Sequence, residues 1–278
     1  MALVLSEEQV MLRDSAAGFL GENASLTHLR ALRDSASERG FEDGVWSRMA
    51  EMGWAGIAIE EAFGGLGYGY TGLGLVLEQV GRNLSASPLQ STVLVAATVI
   101  EELADDAHKE QLLPAIAAGQ AIATLALQEG RHHAPEKTAL SARRDGDEFV
   151  LNGRKVLVLD AHVADYFIVV VRTSGEPGQQ QGLSALLVPA STDGLSIDRR
   201  SMVDSLNAGA LEFANVRVPA TALLGEEGAA WGGLSRAIDI ANIGLSSELL
   251  GLSSAAFEQT VAYLQERKQF GRVIGSFQ

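Results

Sequence analysis

No cysteine occurs among the 278 residues. That excludes disulfides, thiolate metal sites and cysteine nucleophiles, and it fits a reducing compartment. Positive charge is also scarce: 21 Lys and Arg stand against 35 Asp and Glu, a net charge of −14. Such a chain repels nucleic acid and anionic membrane surfaces, so no nucleic-acid partner is expected. Long apolar runs are missing. The most apolar ones, such as 166–171, are too short to cross a bilayer, so no membrane span is expected. The opening MALVLSEEQV has neither a basic region nor a long apolar core, so it does not read as a secretory signal. A cytoplasmic protein is the expectation. No internal repeat or low-complexity tract is present.

What is there is a chain with 47% hydrophobic and 20% charged residues, enough for a sizeable core and for one large or several smaller domains. The first part reads as helices. Ser6 with Gln9 three residues on is a capping-box pair, and Val10, Leu12, Ala16 and Leu20 follow at helical spacing. Further helices are expected over 26–35 and 44–52. The Gly- and Tyr-rich stretch 61–74 reads as a loop leading into a helix over 75–83. Pro88 sits at a helix N1 position and opens a segment to Leu103. Asp105 or Asp106 can cap another helix that stops at Gly119.

From about Ile122 the texture changes to short apolar runs separated by turn residues. The runs are 149–151, 155–159, 166–172, 183–189 and 210–218. Asn152-Gly153 between two of them predicts a hairpin turn, and 174–181 predicts a surface loop. The spacing predicts an antiparallel barrel or sandwich. Past Leu224-Gly225 the helical pattern returns, with one long helix over 231–266 that can break near Gly244. No helix stop signal precedes Gln278, so the last helical domain reads as cut short. The expected fold is α+β and multidomain. It has an N-terminal all-α domain (1–120), a middle antiparallel β-barrel (121–224) and the start of a C-terminal α-helical bundle (225–278).

Several local matches accompany this order. Arg267, Phe270, Gly271, Ile274 and Gln278 fit Arg-x-x-Phe-Gly-x-x-Ile-x-x-x-Gln. Gly64-Gly65-Leu66-Gly67, Leu151-Asn152-Gly153-x-Lys155, Val218-Pro219 and Leu224-Gly225 add to it. Together they resemble the acyl-CoA dehydrogenase family over the whole chain. The resemblance implies FAD as cofactor, an acyl-CoA substrate and electron-transfer flavoprotein as acceptor. It also implies a homotetramer working in fatty-acid or related acyl-CoA metabolism.

A guanidinium can hold phosphate oxygens bidentately, which suits Arg267 to the FAD pyrophosphate. Phe270 offers a flat face for the adenine, with Gln269, Ile274 and Gln278 around it. The plain alternatives are a solvated helix-face charge for Arg267 and ordinary core and cap residues for the rest. In the family this signature reaches the flavin of a neighbouring subunit. The isoalloxazine end falls, by resemblance, on Leu127 and Gln128 and on Leu157, Val158 and Leu159. Both places depart from the family pattern. Gln128-Glu129-Gly130-Arg131-His132-His133 replaces Thr-Glu-Pro with its following Gly and Ser, and Leu157-Val158-Leu159 replaces Trp-x-Thr/Ser. Backbone N–H contacts survive such changes; a hydroxyl contact at Leu159 does not. His132-His133 invites a metal reading, but neighbours on a strand point to opposite faces, and a loop role is expected.

On the substrate side the family often carries Asp-x-x-Arg. Here Asp239 is followed by Asn242, and Asp204 by Asn207, so both arginines are absent. The family reaction is α,β-dehydrogenation: a carboxylate takes the α-proton while hydride leaves the β-carbon for the flavin. The usual base lies beyond Gln278. The alternative slot, on the long helix, is Ala241, which cannot accept a proton. Glu248, two turns later, is the one candidate within the chain, with an interhelical polar contact as its other reading. Two functions remain open: an FAD-dependent acyl-CoA dehydrogenase, or a non-catalytic partner subunit of a heteromeric one. A flavin monooxygenase on the same fold fits the signature less well.

Overall fold

Ser6 opens the first helix as its spacing to Gln9 predicts: its hydroxyl accepts from the Gln9 N–H (3.3 Å), and the Gln9 side chain accepts from the Ser6 N–H (3.0 Å). The computed structural model describes residues 4–277, so Gln278 lies outside the described residues. After α1 (Glu7–Asn23) come α2 (Leu26–Asp34), α3 (Asp43–Glu51) and α4 (Gly69–Asn83). The glycine-rich stretch is a loop only to Tyr68, and α4 begins at Gly69 rather than at Leu75. Its glycines are there for contact: a Cβ on Gly72 would stand 2.2 Å from the Tyr68 ring. Pro88 precedes a π-helical stretch, Leu89–Ala97, which continues as α5 (Thr98–Leu103). Asp105 caps α6 (Asp106–Ala117) by accepting from the His108 N–H.

Eight strands follow: β1 (Ala123–Ala126), β2 (Ser141–Asp145), β3 (Glu148–Leu159), β4 (Tyr166–Arg172), β5 (Leu183–Pro189), β6 (Leu195–Ser201), β7 (Asn207–Pro219) and β8 (Leu223–Leu224). They form one sheet in the order β6-β7-β3-β2-β4-β5-β8, with β1 parallel to β4. Other neighbours are antiparallel, save one parallel pair between β2 and β4. Phe149, Leu151, Phe167, Val169, Leu186, Val188, Leu211 and Phe213 converge in one core, so the sheet curls around them. The other face of β4 is buried too: Ile168 belongs to a second apolar cluster with Leu112 and Ile116 of α6. This is why its six residues from Phe167 to Arg172 are all buried.

Asn152-Gly153 is not a hairpin turn. It lies within β3, where the register against β7 shifts between Leu151 and Gly153. Gly153 has φ +140°, and a Cβ there would press on Leu140 at 2.9 Å; the Asn152 side chain accepts from the Asn215 N–H instead of closing a turn. The β2–β3 turn falls at Gly146-Asp147, where Gly146 has φ +64°.

The last long element is α7 (Trp231–Glu266), 36 residues with no break at Gly244. Gly244 lies under Leu94, and deeper contacts follow along α4. A Cβ on Gly81 would lie 1.9 Å from the Glu248 carbonyl, and one on Gly251 would lie 1.8 Å from the Glu78 carbonyl. These glycines let two backbones touch, and that contact offsets the helix propensity that glycine loses, about 1 kcal/mol each. Beyond α7 the chain turns back in a short hairpin, β9 (Lys268–Gln269) with β10 (Arg272–Val273). Gly251→Ala is expected to cost at least about 2 kcal/mol by forcing the helices apart. Urea unfolding measures it, and an unchanged midpoint would show that the seam tolerates a methyl group.

Candidate functional site

The chain leaving β1 runs beside the far end of β3, and a backbone bond from the Val156 N–H to the Gln128 carbonyl (2.8 Å) joins them. Between Lys155 and Val158 β3 bulges against β7. The bulge turns Leu157 to φ +52° and leaves it 48% exposed, while Val158 is buried at 1%. Leu127 is nearly buried, Gln128 and Leu159 are partly buried, and Gln128 donates to Nδ1 of His133 (2.6 Å). The structure therefore brings Leu127, Gln128, Leu157, Val158 and Leu159 into one locality.

The sequence reading missed what fixes that locality. Lys155 is fully buried, and its ammonium donates to the Leu127 carbonyl (3.0 Å) and to Glu129 (2.7 Å). Glu129 also accepts from the N–H groups of Ala139 and Leu140. Burial pulls the Lys155 pKa down to about 8, against the opposing pull of Glu129. Both residues sat inside stretches already singled out, but neither spacing nor composition announces a pair 26 residues apart.

A second buried group follows the bulge. Asp160 accepts from the Ser91 hydroxyl (2.6 Å) on the π-helical stretch and from the Asn207 side-chain N–H (3.0 Å) on β7. Asn207 also donates to the Arg39 carbonyl and accepts from Arg199, whose guanidinium holds the Ser37 and Glu38 carbonyls. Asn207 is thus a packed junction between helices and sheet, and the cation beside it is Arg199. Burial pushes the Asp160 carboxyl above its ordinary 3.8.

A cavity of about 310 Å³ opens beside Gln128, lined among others by Glu129, Arg131, His132 and Lys137. On α7, Leu234 packs with Leu127, and Asp239 and Asn242 are exposed one turn apart. Ala241 packs on the core. Glu248 lies at the α4 seam with one carboxylate oxygen buried and unpartnered, and burial raises its pKa. Its backbone touches Gly81, which fits the interhelical reading, and it does not line the cavity beside Gln128.

The signature residues stand elsewhere. Arg267 is exposed at the end of α7, Gln269 is exposed in β9 and Ile274 is partly buried. Phe270 and Gly271, both at positive φ, form the hairpin tip, where Phe270 is 94% exposed. From Leu234 to Arg267 the helix rises roughly 50 Å at 1.5 Å per residue. The two groups of predicted flavin residues are therefore not brought together within one chain.

A helical domain, a curled eight-stranded sheet and a long returning helix define the class of helix–sheet–helix dehydrogenase folds. The model for the N-terminal domain of acyl-CoA dehydrogenase matches residues 6–120, and that for the middle domain matches 126–216. Probable acyl-CoA dehydrogenase YngJ of Bacillus subtilis is 30% identical over the whole chain, which covers 74% of that protein. Acryloyl-CoA reductase (NADH) of Anaerotignum propionicum is also 30% identical, with all of this chain and 71% of that protein aligned. A glutaryl-coenzyme A dehydrogenase in complex with glutaryl-CoA superposes with a TM-score of 0.89 at 25% identity, covering 100% of this chain and 71% of its own. The chain belongs to the acyl-CoA dehydrogenase family.

Two outcomes test the local account. Lys155→Met strands the Glu129 carboxylate, so a loss of about 3–5 kcal/mol is expected in chemical denaturation; a loss under about 1 kcal/mol would mean the pair contributes little. For Asp160 the folded pKa is raised, so the native state keeps a proton that the unfolded chain releases above 3.8. Stability then falls as pH rises through that window. Asp160→Asn should therefore gain on the wild type as pH rises above 3.8, until Asp160 ionises in the folded protein as well, and a pH-independent difference would contradict this.

Proposed function

We propose that the chain catalyses FAD-dependent α,β-dehydrogenation of an acyl-CoA thioester, with its segments 1–120, 121–224 and 225–278 acting as helical domain, β domain and opening of a helical bundle. The single observation that carries the reading is the paired architecture just described: an apolar, bulged strand end beside Gln128, and a separate Arg–Phe hairpin roughly 50 Å along α7. One dinucleotide cannot span that length in one chain. It can lie on Leu127, Gln128, Leu157, Val158 and Leu159 of one copy and on Arg267, Gln269, Phe270, Ile274 and Gln278 of another. The reading is thus a homo-oligomer, a homotetramer by family, with shared cofactor sites.

The residues fit a flavin in part. Leu157 presents an apolar face at its bulge. Leu159 lacks the hydroxyl that the family usually places there. Bound FAD supplies the hydride acceptor. The chain's own contribution is to hold the ring against β1 and β3, and to keep water from it with Leu127 and Leu157. Asp239 and Asn242 are assigned to the acyl-CoA. The α-proton acceptor is placed outside these 278 residues, since Ala241 has no basic atom and Glu248 is committed to the seam. An electron-transfer flavoprotein is proposed as acceptor.

The absent arginines at 207 and 242 favour a second reading, a partner subunit kept for assembly in a heteromeric dehydrogenase. Reconstitution separates the two. The protein incubated with FAD should turn yellow and quench flavin fluorescence, and Arg267→Ala should weaken FAD at least about tenfold through the lost phosphate contact. A colourless protein that cannot be loaded would sink the flavoenzyme reading and leave the partner-subunit one.

A further inference from the structure

After β7 the chain returns to the helices through a short link, 220–225, which leads toward α7. That link is pressed against the helical domain. Gly225 has φ +77°, and a Cβ there would stand 2.7 Å from the Leu103 carbonyl at the end of α5. A Cβ on Gly233, at the head of α7, would stand 2.4 Å from the Leu103 side chain. Among the described residues a single hydrogen bond joins the helical domain to the link, and His108 of α6 makes it: its Nε2 lies 2.8 Å from the Thr221 carbonyl. The other ring nitrogen, Nδ1, lies 2.6 Å from Asp105 Oδ1, which also accepts from the His108 N–H as the cap of α6. Both ring nitrogens therefore face oxygen. A carbonyl can only accept. The Asp105 carboxyl is held below its ordinary 3.8 by the His108 N–H and then by the ring, so it too is an acceptor. A neutral imidazole has one N–H, and its second nitrogen would set a lone pair against an oxygen lone pair. The imidazolium, with two donors, satisfies both contacts.

We propose that His108 is a pH-sensitive latch: its imidazolium ties the cap of α6 to the Thr221 carbonyl, and loss of one ring proton to water frees the link that leads into α7. The charged groups on the surrounding elements are mostly committed elsewhere. The link itself carries no ionisable side chain. Arg217 before it is held by Asp145 and Glu148; after it Glu226 is exposed and Glu227 pairs with Arg144. On α5, Glu101 accepts from Tyr70 and Glu102 pairs with Arg236. On α6, the Lys109 charge also acts on Asp105, while Asp106 and Glu110 are exposed. The neutral ring keeps its remaining N–H for the carboxylate, the stronger acceptor, so the Thr221 bond is the one lost. The latched state binds a proton that the open state lacks. Latching is thus favoured at low pH and lost as pH rises through the imidazole range, centred at about 6.5 for a free ring. The effect passes along the chain, because Leu234 near the head of α7 shares an apolar cluster with Leu127. No cofactor enters the latch, so it stands apart from the proposed function.

The test is hydrogen exchange of the whole chain, followed by mass spectrometry from about pH 5.5 to about pH 8 and corrected for intrinsic exchange. The peptide 219–230 reports the latch, and 166–172 of β4 serves as internal standard. In the wild type, protection of 219–230 should fall about fivefold over that range relative to β4, the worth of one hydrogen bond. His108→Gln has no ring proton to lose and should show the low value at every pH. Asp105→Asn keeps a capping side chain but removes the carboxylate, so its pH dependence should shrink to about half or less. That variant carries the test if His108→Gln fails to fold. Level protection in the wild type overturns the latch, as does an equal fall in His108→Gln or an unchanged pH dependence in Asp105→Asn. A fall that 166–172 shares in full also overturns it, since that marks loosening of the whole fold.

Discussion

A buried ammonium must be surrounded by oxygen, and the site is built around that requirement at Lys155. Its three protons need acceptors that water cannot supply, so the Leu127 carbonyl and the Glu129 carboxylate are drawn to it. Glu129 in turn gathers two backbone N–H groups from the strip before β2. One charge thereby positions the end of β1, the end of β3 and the strip 130–140. The bulge at Leu157 and the cavity beside Gln128 lie on the segments that it joins.

The helical domain meets this assembly at a second polar point. The π-helical stretch sets Thr92 on the Ala123 carbonyl and Ser91 on Asp160, so it touches the sheet near the start of β1 and just after the bulge at Leu157. An irregular helix with one residue too many per turn suits that task, because it spreads donors along a strip that an α-helix would point elsewhere. Asn207 and Arg199 tie the same corner to the loop between α2 and α3. Helices and sheet are thus joined by buried hydrogen bonds whose loss leaves orphaned polar groups, a stricter constraint than apolar contact.

Much of the fold was legible. Ser6 and Gln9 announced α1, and the apolar runs at 166–172 and 183–189 gave β4 and β5 to the residue. Failures came where tertiary contact overrode local preference. Asn152-Gly153 has the chemistry of a turn, yet Leu140 and Asn215 claim it for a bulge. Gly244 looks like a helix breaker and instead makes room for Leu94, while Gly251 lets α7 touch α4. At the site, the residues proposed to meet a cofactor were visible as departures from a motif. The residues that hold them, Lys155, Glu129, Asp160 and Asn207, were not, because a buried pair distant in sequence leaves no periodic trace.

The length of α7 has a consequence for how the molecule behaves as a population. Under the proposed sharing of FAD between copies, a rigid rod that parts the two halves of the site would make cofactor uptake and subunit association a single linked equilibrium. Diluting the protein would then strip it of ligand, and adding ligand would draw dilute chains together. Each copy would act as both holder and clasp, so a chain damaged only at its hairpin would cost its neighbour, rather than itself, a cofactor.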